Sequence, residues 1–255
     1  VIELKTEPEL AAMRVAGRVV ATALREVRAA AAVGVSLREL DEVAAGVLRD
    51  AGAKSSFLHY HPRFAPTPFP AVLCTSVNDA VVHGIPTGYR LRNGDLLGID
   101  FGAEVDGWHG DAAVSFVVGE ADPADLALIE TTERALAAGI AAARPGGRMG
   151  DIGHAIGAVA RPAGYGLVAH HGGHGVGRAM HEPPGVPNEG RPGRGHRLRP
   201  GLVLAIEPML VAGGGDGYRF GADGWTVHTA DGSRAAHAEH TVAITADGPV
   251  VLTAP

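Results

Sequence analysis

Leu91-Arg-Asn-Gly-Asp-Leu-Leu-Gly-Ile-Asp100 and Leu198-Arg-Pro-Gly-Leu-Val-Leu-Ala-Ile-Glu207 align without a gap, and five of the ten positions are identical. Each segment passes through a glycine turn into a continuous apolar run and ends on a carboxylate, the pattern of a buried strand that carries one acid. A repeat of this kind predicts a fold built from two similar halves. The acids then repeat in step: Asp111 precedes Ala-Ala-Val-Ser-Phe-Val-Val, and Glu239 precedes His-Thr-Val-Ala-Ile-Thr. Each half therefore supplies two carboxylates to strands.

The helical patterns outside these strands are paired as well. Thr6-Glu7-Pro8-Glu9 is a capping box leading into Leu10, Met13, Gly17, Val20, Leu24 and Val27 at steps of three and four. A second stripe, Leu37, Leu40, Ala44, Val47 and Leu48, ends before Gly52. In the later half Asp122-Pro123 caps a helix whose apolar face reads Leu126, Ile129, Leu136 and Ile140; Ile152, Ala155, Ile156 and Val159 follow a Pro-Gly-Gly turn. The expectation is one α+β unit over 1–255 with halves of about 1–120 and 121–255. Helices would cover one side of a curved, mostly antiparallel sheet, with the site between the halves.

Composition narrows the function classes. The chain has 255 residues, 46% of them hydrophobic and 20% charged, enough for a sizeable core. Its formal net charge of −6 argues against a protein whose main work is gripping DNA or RNA phosphates. With Cys74 as the single cysteine, neither an internal disulfide nor a cysteine-based zinc or iron–sulfur site can form, which suits a reducing, cytoplasmic setting. The amino terminus lacks an apolar signal segment, and the uncharged stretch from Phe64 to Asn78 is broken by prolines, so neither a signal peptide nor a membrane span is expected.

Asp106-Gly107 between Asp100 and Asp111 is a strong hairpin signal. A turn at Val105-Asp106 would oppose the two aspartates directly, and one at Asp106-Gly107 would place them diagonally. Period-two alternation keeps them on one face either way. Asp100 reads as the end of a core strand, and a buried carboxylate without a counter-charge is very costly. Glu207 and Glu239 share that predicament, so four carboxylates converge if the halves pack as the repeat implies. Two divalent cations neutralise four such charges, a simpler account than separate ion pairs with arginines. Among the 13 histidines, His170, His171, His174 and His181 lie in one glycine-rich run. One imidazole beside carboxylates suits Co, Mn, Fe or Zn, and spacing leaves all four histidines open as that ligand. His83 sits at a strand-to-turn boundary in Val81-Val-His83-Gly-Ile-Pro86, while His59, His61 and His196 read as surface residues.

The ordered set Val81-Val-His83-Gly-Ile-Pro86, Ile99-Asp100-Phe-Gly102, Gly110-Asp111, Gly173-His174-Gly-Val-Gly177, Met180-His181-Glu-Pro-Pro184, Ala205-Ile-Glu207-Pro-Met209 and Ala238-Glu239-His-Thr241 resembles the methionine aminopeptidases, in their bacterial type I form. The resemblance spans Ile2 to Thr245. It implies the pita-bread fold as a single catalytic domain and two metals held by Asp100, Asp111, His174, Glu207 and Glu239, with Asp111 and Glu239 bridging. It further implies His83, His181 and Glu207 as catalytic residues, and a methionine pocket of Tyr60, Phe69, Cys74, Met180 and Trp225 beside His83 and His181. The implied activity is removal of the N-terminal methionine from nascent polypeptides with a small second residue. Met180 stands where the family often has Phe, and the stretch from His59 to Phe69 is longer and richer in proline than in many relatives. The expected protein is a monomer without DNA or membrane partners. Arg191, Arg194, Arg197 and Arg199 form a basic loop that could make a transient ribosome contact, against the plainer reading of a solvated loop. Proline-specific peptidases of the same fold are the rival enzyme class, and a metal-free binding module is the rival outside catalysis.

Overall fold

Residues 2–254 are described by the computed structural model. The first half runs α1 (Glu7–Ala30), α2 (Leu37–Ala51), β1 (Lys54–Ser55), β2 (Leu73–Val77), β3 (Ala80–Val82), β4 (Asp95–Val105) and β5 (Trp108–Val118). The second begins with α3 (Pro123–Ala142), α4 (Met149–Ala160), β6 (Gly166–Leu167), β7 (Gly172–Gly175), β8 (Glu182–Pro187) and β9 (Val203–Ile206). It ends with β10 (Met209–Val211), β11 (Tyr218–Phe220), β12 (Val227–Thr229), β13 (Ala235–His237), β14 (Glu239–Thr245) and β15 (Gly248–Val251).

The repeat seen in the sequence becomes a pseudo-twofold arrangement. In the largest sheet the strands run β1-β4-β5-β14-β9-β7-β8, so the hairpin β4–β5 meets its counterpart β9–β14 at the central β5–β14 seam. Each half also ties its second helix to the turn before its acid-bearing strand. Gly34 N–H donates to Leu91 O and Leu91 N–H to Val35 O; equivalently, Gly146 N–H donates to Leu198 O and Leu198 N–H to Gly147 O. Gly94 (φ 85°) and Gly201 (φ 90°) then take the same left-handed turn, which only glycine adopts without strain. Leu91 and Leu198, the first residues of the two repeat segments, are both buried and belong to two separate apolar clusters, one per half.

Local chemistry starts the helices where the sequence predicts. The Glu9 carboxylate accepts from Thr6 N–H at 2.8 Å and from the Thr6 hydroxyl at 2.9 Å. Ser36 and Glu39 exchange the two bonds of a capping box, Gly52 closes α2 in the left-handed region, and Asp122 Oδ1 accepts from Ala124 N–H. Leu10, Met13, Gly17, Val20, Leu24 and Val27 are all buried. On α3 the expected face is rotated: Leu126 is 52% exposed, and Leu128, Ala135, Leu136 and Gly139 face inward. The runs of small and apolar residues on α3 leave its period ambiguous, and contact with α4 selects the side, because Gly139 lets Ile156 approach closely. The expectation that Asp100 ends its strand is also corrected. β4 continues through buried Phe101, Gly102 and Ala103 to Val105 and places Asp100 mid-strand.

Candidate functional site

The register of the central sheet brings the acids together. Asp106 (φ 52°) and Gly107 (φ 79°) make the two-residue turn, so Asp100 pairs with Ala113, and Asp111 pairs with Gly102. The two aspartates are therefore diagonal, on one face. Ala113 also pairs with Glu239 across the seam, which sets Asp100, Ala113 and Glu239 in one row. In the adjacent row Asp111 N–H donates to the Thr241 hydroxyl, Thr241 pairs with Ala205, and Ala205 pairs with His174. Glu207 follows Ile206 at the end of β9, where Ile206 pairs with His240. Two neighbouring rows on one sheet face thus hold Asp100, Glu239, Asp111 and His174, and Glu207 stands at the strand end with Oε1 3.5 Å from His174 Nε2.

The surroundings of these groups are hostile to bare charge. Burial pushes the Asp100 carboxyl up to about 6, opposed by His237 and reinforced by Glu207. Burial pushes Glu207 up to about 8. Asp111 and Glu239 are driven well above the carboxylate range by burial and by the other acids. Asp111 Oδ1, Asp100 Oδ1, Glu239 Oε1 and His237 Nε2 are buried without a hydrogen-bond partner. His174 adds a directional argument. Its Nδ1 lies 2.9 Å from Gly175 O, an acceptor only, so Nδ1 carries the proton and Nε2 presents a lone pair. That lone pair lies 3.5 Å from Glu207 Oε1 and 3.7 Å from Asp111 Oδ2. Acceptors facing acceptors in a buried site repel unless a cation lies among them. The residues fit divalent metal: ligand atoms of Asp111, His174 and Glu239 lie within 4.8 Å of one another, and so do those of Glu207, His237 and Glu239.

A cavity of about 230 Å³ opens on this face, and every residue proposed from the sequence for catalysis or binding lines it. Phe57 and Phe69 meet edge to face at 6.3 Å, and Phe69 meets Trp225 at 5.1 Å. Trp225 is held by its indole N–H, which donates to Thr67 O at 2.9 Å. Cys74 pairs with Asp100 across β2–β4, so the thiol lies beside the acidic row, and burial followed by the nearby carboxylates pushes it well up. Gly102 leaves room for Phe57 and Met180, which any β-carbon there would crowd. Tyr60 stacks on His181 at 5.1 Å, and His181 lies 4.0 Å from His174, ring centre to ring centre. The His83 ring packs edge-on to Trp225 at 6.2 Å. Burial pushes His83 and His181 down to about 3, helped in both cases by neighbouring histidines, so both imidazoles are neutral at pH 7.

The remaining histidines separate cleanly. His170 is exposed, and His171 bonds to Ala169 O and packs on Tyr218, so neither joins the acids. His59, His61 and His196 are exposed as expected. Sequence reasoning missed His237, whose Nε2 is 3.4 Å from Glu207 Oε2 and 3.9 Å from Glu239 Oε2. Its signal was available: His237 and Glu239 are two apart beside a strand and share a face. Ser115 clamps the His237 backbone, accepting from its N–H and donating to its carbonyl. Phe57 and Phe64 also line the cavity, and no pattern in the sequence marks either one.

Residues 11–246 match the metallopeptidase family M24. Methionine aminopeptidase 1 of Mycobacterium tuberculosis is 54% identical over 99% of this chain and 95% of its own length. The crystal structure of methionine aminopeptidase from Thermotoga maritima superposes with a TM-score of 0.95 at 39% identity, covering 100% of both chains. Prolidase from Pyrococcus furiosus shares the fold alone, at 22% identity and a TM-score of 0.78 over 65% of its length. The duplicated hairpins, the buried acids and these likenesses agree: the chain has the pita-bread fold and belongs to metallopeptidase family M24, among the methionine aminopeptidases.

Proposed function

We propose that this protein hydrolyses the first peptide bond of peptides and nascent polypeptides that begin with methionine and carry a small second residue. The carrying observation is the direct contact between the acidic rows and an apolar cavity lined by Phe57, Phe69, Cys74, Met180 and Trp225. An unbranched thioether suits such a pocket, because it is apolar and adapts to irregular walls. The free, neutral α-amine of a chain end would find its anchor on a cation held by the acids, whereas the amide nitrogen of an internal residue has no free lone pair to offer one.

Asp100, Asp111, His174, Glu207 and Glu239 would hold two divalent ions, with His237 close by. Bound there, such ions supply Lewis acidity and lower the pKa of water. Glu207, at the end of β9 between the His174 and His237 rings, is the group placed to receive the proton that water loses as it attacks. His181, neutral and stacked on Tyr60, offers an N–H toward the carbonyl oxygen as charge builds on it. His83, held against Trp225, is placed to meet the amide of the scissile bond. The whole chain is read as one catalytic unit acting as a monomer in the cytoplasm. Among the described residues no helix is long and apolar enough to cross a membrane.

The deciding experiment strips the protein of metal, refills it with single metals, and measures methionine release. Met-Ala- and Met-Gly-peptides should be cleaved far faster than Met-Lys- or Met-Phe-peptides, and N-acetylated Met-Ala-peptides should resist. Efficient cleavage of Xaa-Pro-peptides without preference for methionine would move the assignment to the proline-specific branch. A transient ribosome contact is also proposed for Arg191, Arg194, Arg197 and Arg199, all exposed on a loop pinned to α4 by Gly193 N–H donating to Asp151. Co-sedimentation with ribosomes should fall with salt and disappear when the four are changed to Gln; unchanged binding removes the loop from the proposal.

A further inference from the structure

Between Tyr60 and Phe69 the chain runs His61-Pro-Arg-Phe64-Ala-Pro-Thr-Pro68, a segment the sequence marks only by its prolines. Phe64 at its tip is 61% exposed, yet it lines the cavity, with its ring edge-on to Trp225 at 5.9 Å and 71°. The loop that carries it is built from contacts that do not involve the Phe64 side chain. Its base is a backbone ladder, His59 N–H to Phe69 O and Phe69 N–H to Tyr60 O, both 2.8 Å. Its tip is turned by Ala65 N–H donating to Pro62 O, with the His61 ring donating to Ala65 O at 3.2 Å. Its flank rests on the Trp225 turn: Thr67 O accepts from the indole, and Pro66 sits so close to Gly224 that a β-carbon there would lie 2.4 Å from Pro66 Cγ. Four prolines at 62, 66, 68 and 70 restrict the alternatives open to this backbone.

A rigid loop therefore holds an aromatic ring over the pocket mouth with most of its surface in water. We propose that Phe64 is a substrate-binding residue: it forms the outer wall of the pocket and closes over the far end of the methionine side chain. The inference rests on the aminopeptidase reading above and adds a specificity element to it. A long, unbranched side chain that enters the cavity from the acidic rows would end against this ring, and its arrival would remove apolar surface of both partners from water. Because the loop is already ordered, little entropy is lost on binding, and the contact acts on affinity rather than on the reacting atoms.

The test compares wild type, Phe64→Ala and Phe64→Leu on Met-Ala-Ser, with inhibition by free methionine as a second readout. Phe64→Ala should raise KM by about 5- to 20-fold with kcat within about twofold, and should weaken methionine inhibition in parallel. Phe64→Leu, which keeps apolar bulk, should recover at least half of the lost affinity on a logarithmic scale. Because Phe64 is mostly exposed and the loop bonds bypass it, both variants should melt with the wild type. An active wild type with an unchanged KM in Phe64→Ala overturns the role of Phe64, as does a fall confined to kcat. A wild type that releases no methionine overturns the aminopeptidase reading itself, and the role of Phe64 with it.

Discussion

Glu207 is the residue on which the proposed chemistry turns. It stands at the end of β9 with His174 Nε2 at 3.5 Å on one oxygen and His237 Nε2 at 3.4 Å on the other. Glu207→Gln keeps the shape and removes the proton acceptor, so methionine release should fall on the order of 10²-fold or more. Near-normal kcat in steady-state assays would exclude Glu207 as the base. The two stacked histidines should part company in the same assays. His174 turns a lone pair toward the acids, so His174→Ala should weaken metal binding in equilibrium dialysis. His181 packs against the His174 ring and against Tyr60 and belongs to neither group of converging ligand atoms, so His181→Ala should retain metal and lose kcat. Equal metal loss in both variants would mean that these roles are wrongly separated.

At the scale of elements, the site depends on strands and helices approaching more closely than side chains would allow. α1 crosses the C-terminal segment at Gly17, where a β-carbon would fall 2.0 Å from the Leu252 carbonyl oxygen; Gly110, the neighbour of Asp111 on β5, lies against the same turn of the helix. Gly17→Ala must push α1 off the sheet, and overpacking of this kind costs about 1–3 kcal/mol. For a chain of this length that lowers Tm by roughly 2–4 °C per kcal/mol. Gly46 supplies the contrast. It lies inside α2 with only the flexible end of Arg49 nearby, at 3.6 Å. Gly46→Ala should therefore stabilise by about 0.5–1 kcal/mol through helix propensity. Thermal unfolding of the two variants should move in opposite directions, and a stabilised Gly17→Ala would refute the close approach.

At the scale of the molecule, folding forces like charges together, and the consequence appears as linkage between stability, pH and metal. In the metal-free protein Asp100 titrates near 6 and Glu207 near 8, against ordinary values of 3.8 and 4.5. Their raised values mean that the folded state binds more protons than the unfolded one between about pH 4 and pH 8. The stability they contribute is therefore present below that window and is lost as pH rises through it. Divalent cations relieve the same repulsion. The rise in Tm on adding Mn or Co should accordingly be larger at pH 7.5 than at pH 5.5. A metal-induced shift that shrinks as pH rises would contradict the convergence of the acids.

Much of this was legible in the chain because it depends on local periodicity. Leu91–Asp100 and Leu198–Glu207 determine by their match that the fold is duplicated, and alternation along strands determines that Asp100 and Asp111 share a face. Capping residues at Thr6 and Asp122 mark helix starts because their hydrogen bonds reach only two or three residues along the chain. Other features depend on separations that no local pattern encodes. Whether the aspartates are opposed or diagonal was decided by the left-handed pair Asp106 and Gly107. The inward face of α3 was decided by its contact with α4, which turned Leu126 outward. His237 came beside Glu207, and Phe64 over Trp225, through packing between segments far apart in sequence. The sequence by itself determined the duplicated acid-bearing strands, the four main helices and the shared face of Asp100 and Asp111. Only the tertiary structure decided which faces of these elements meet, because that choice rests on the close packing of side chains and backbone from both halves at once.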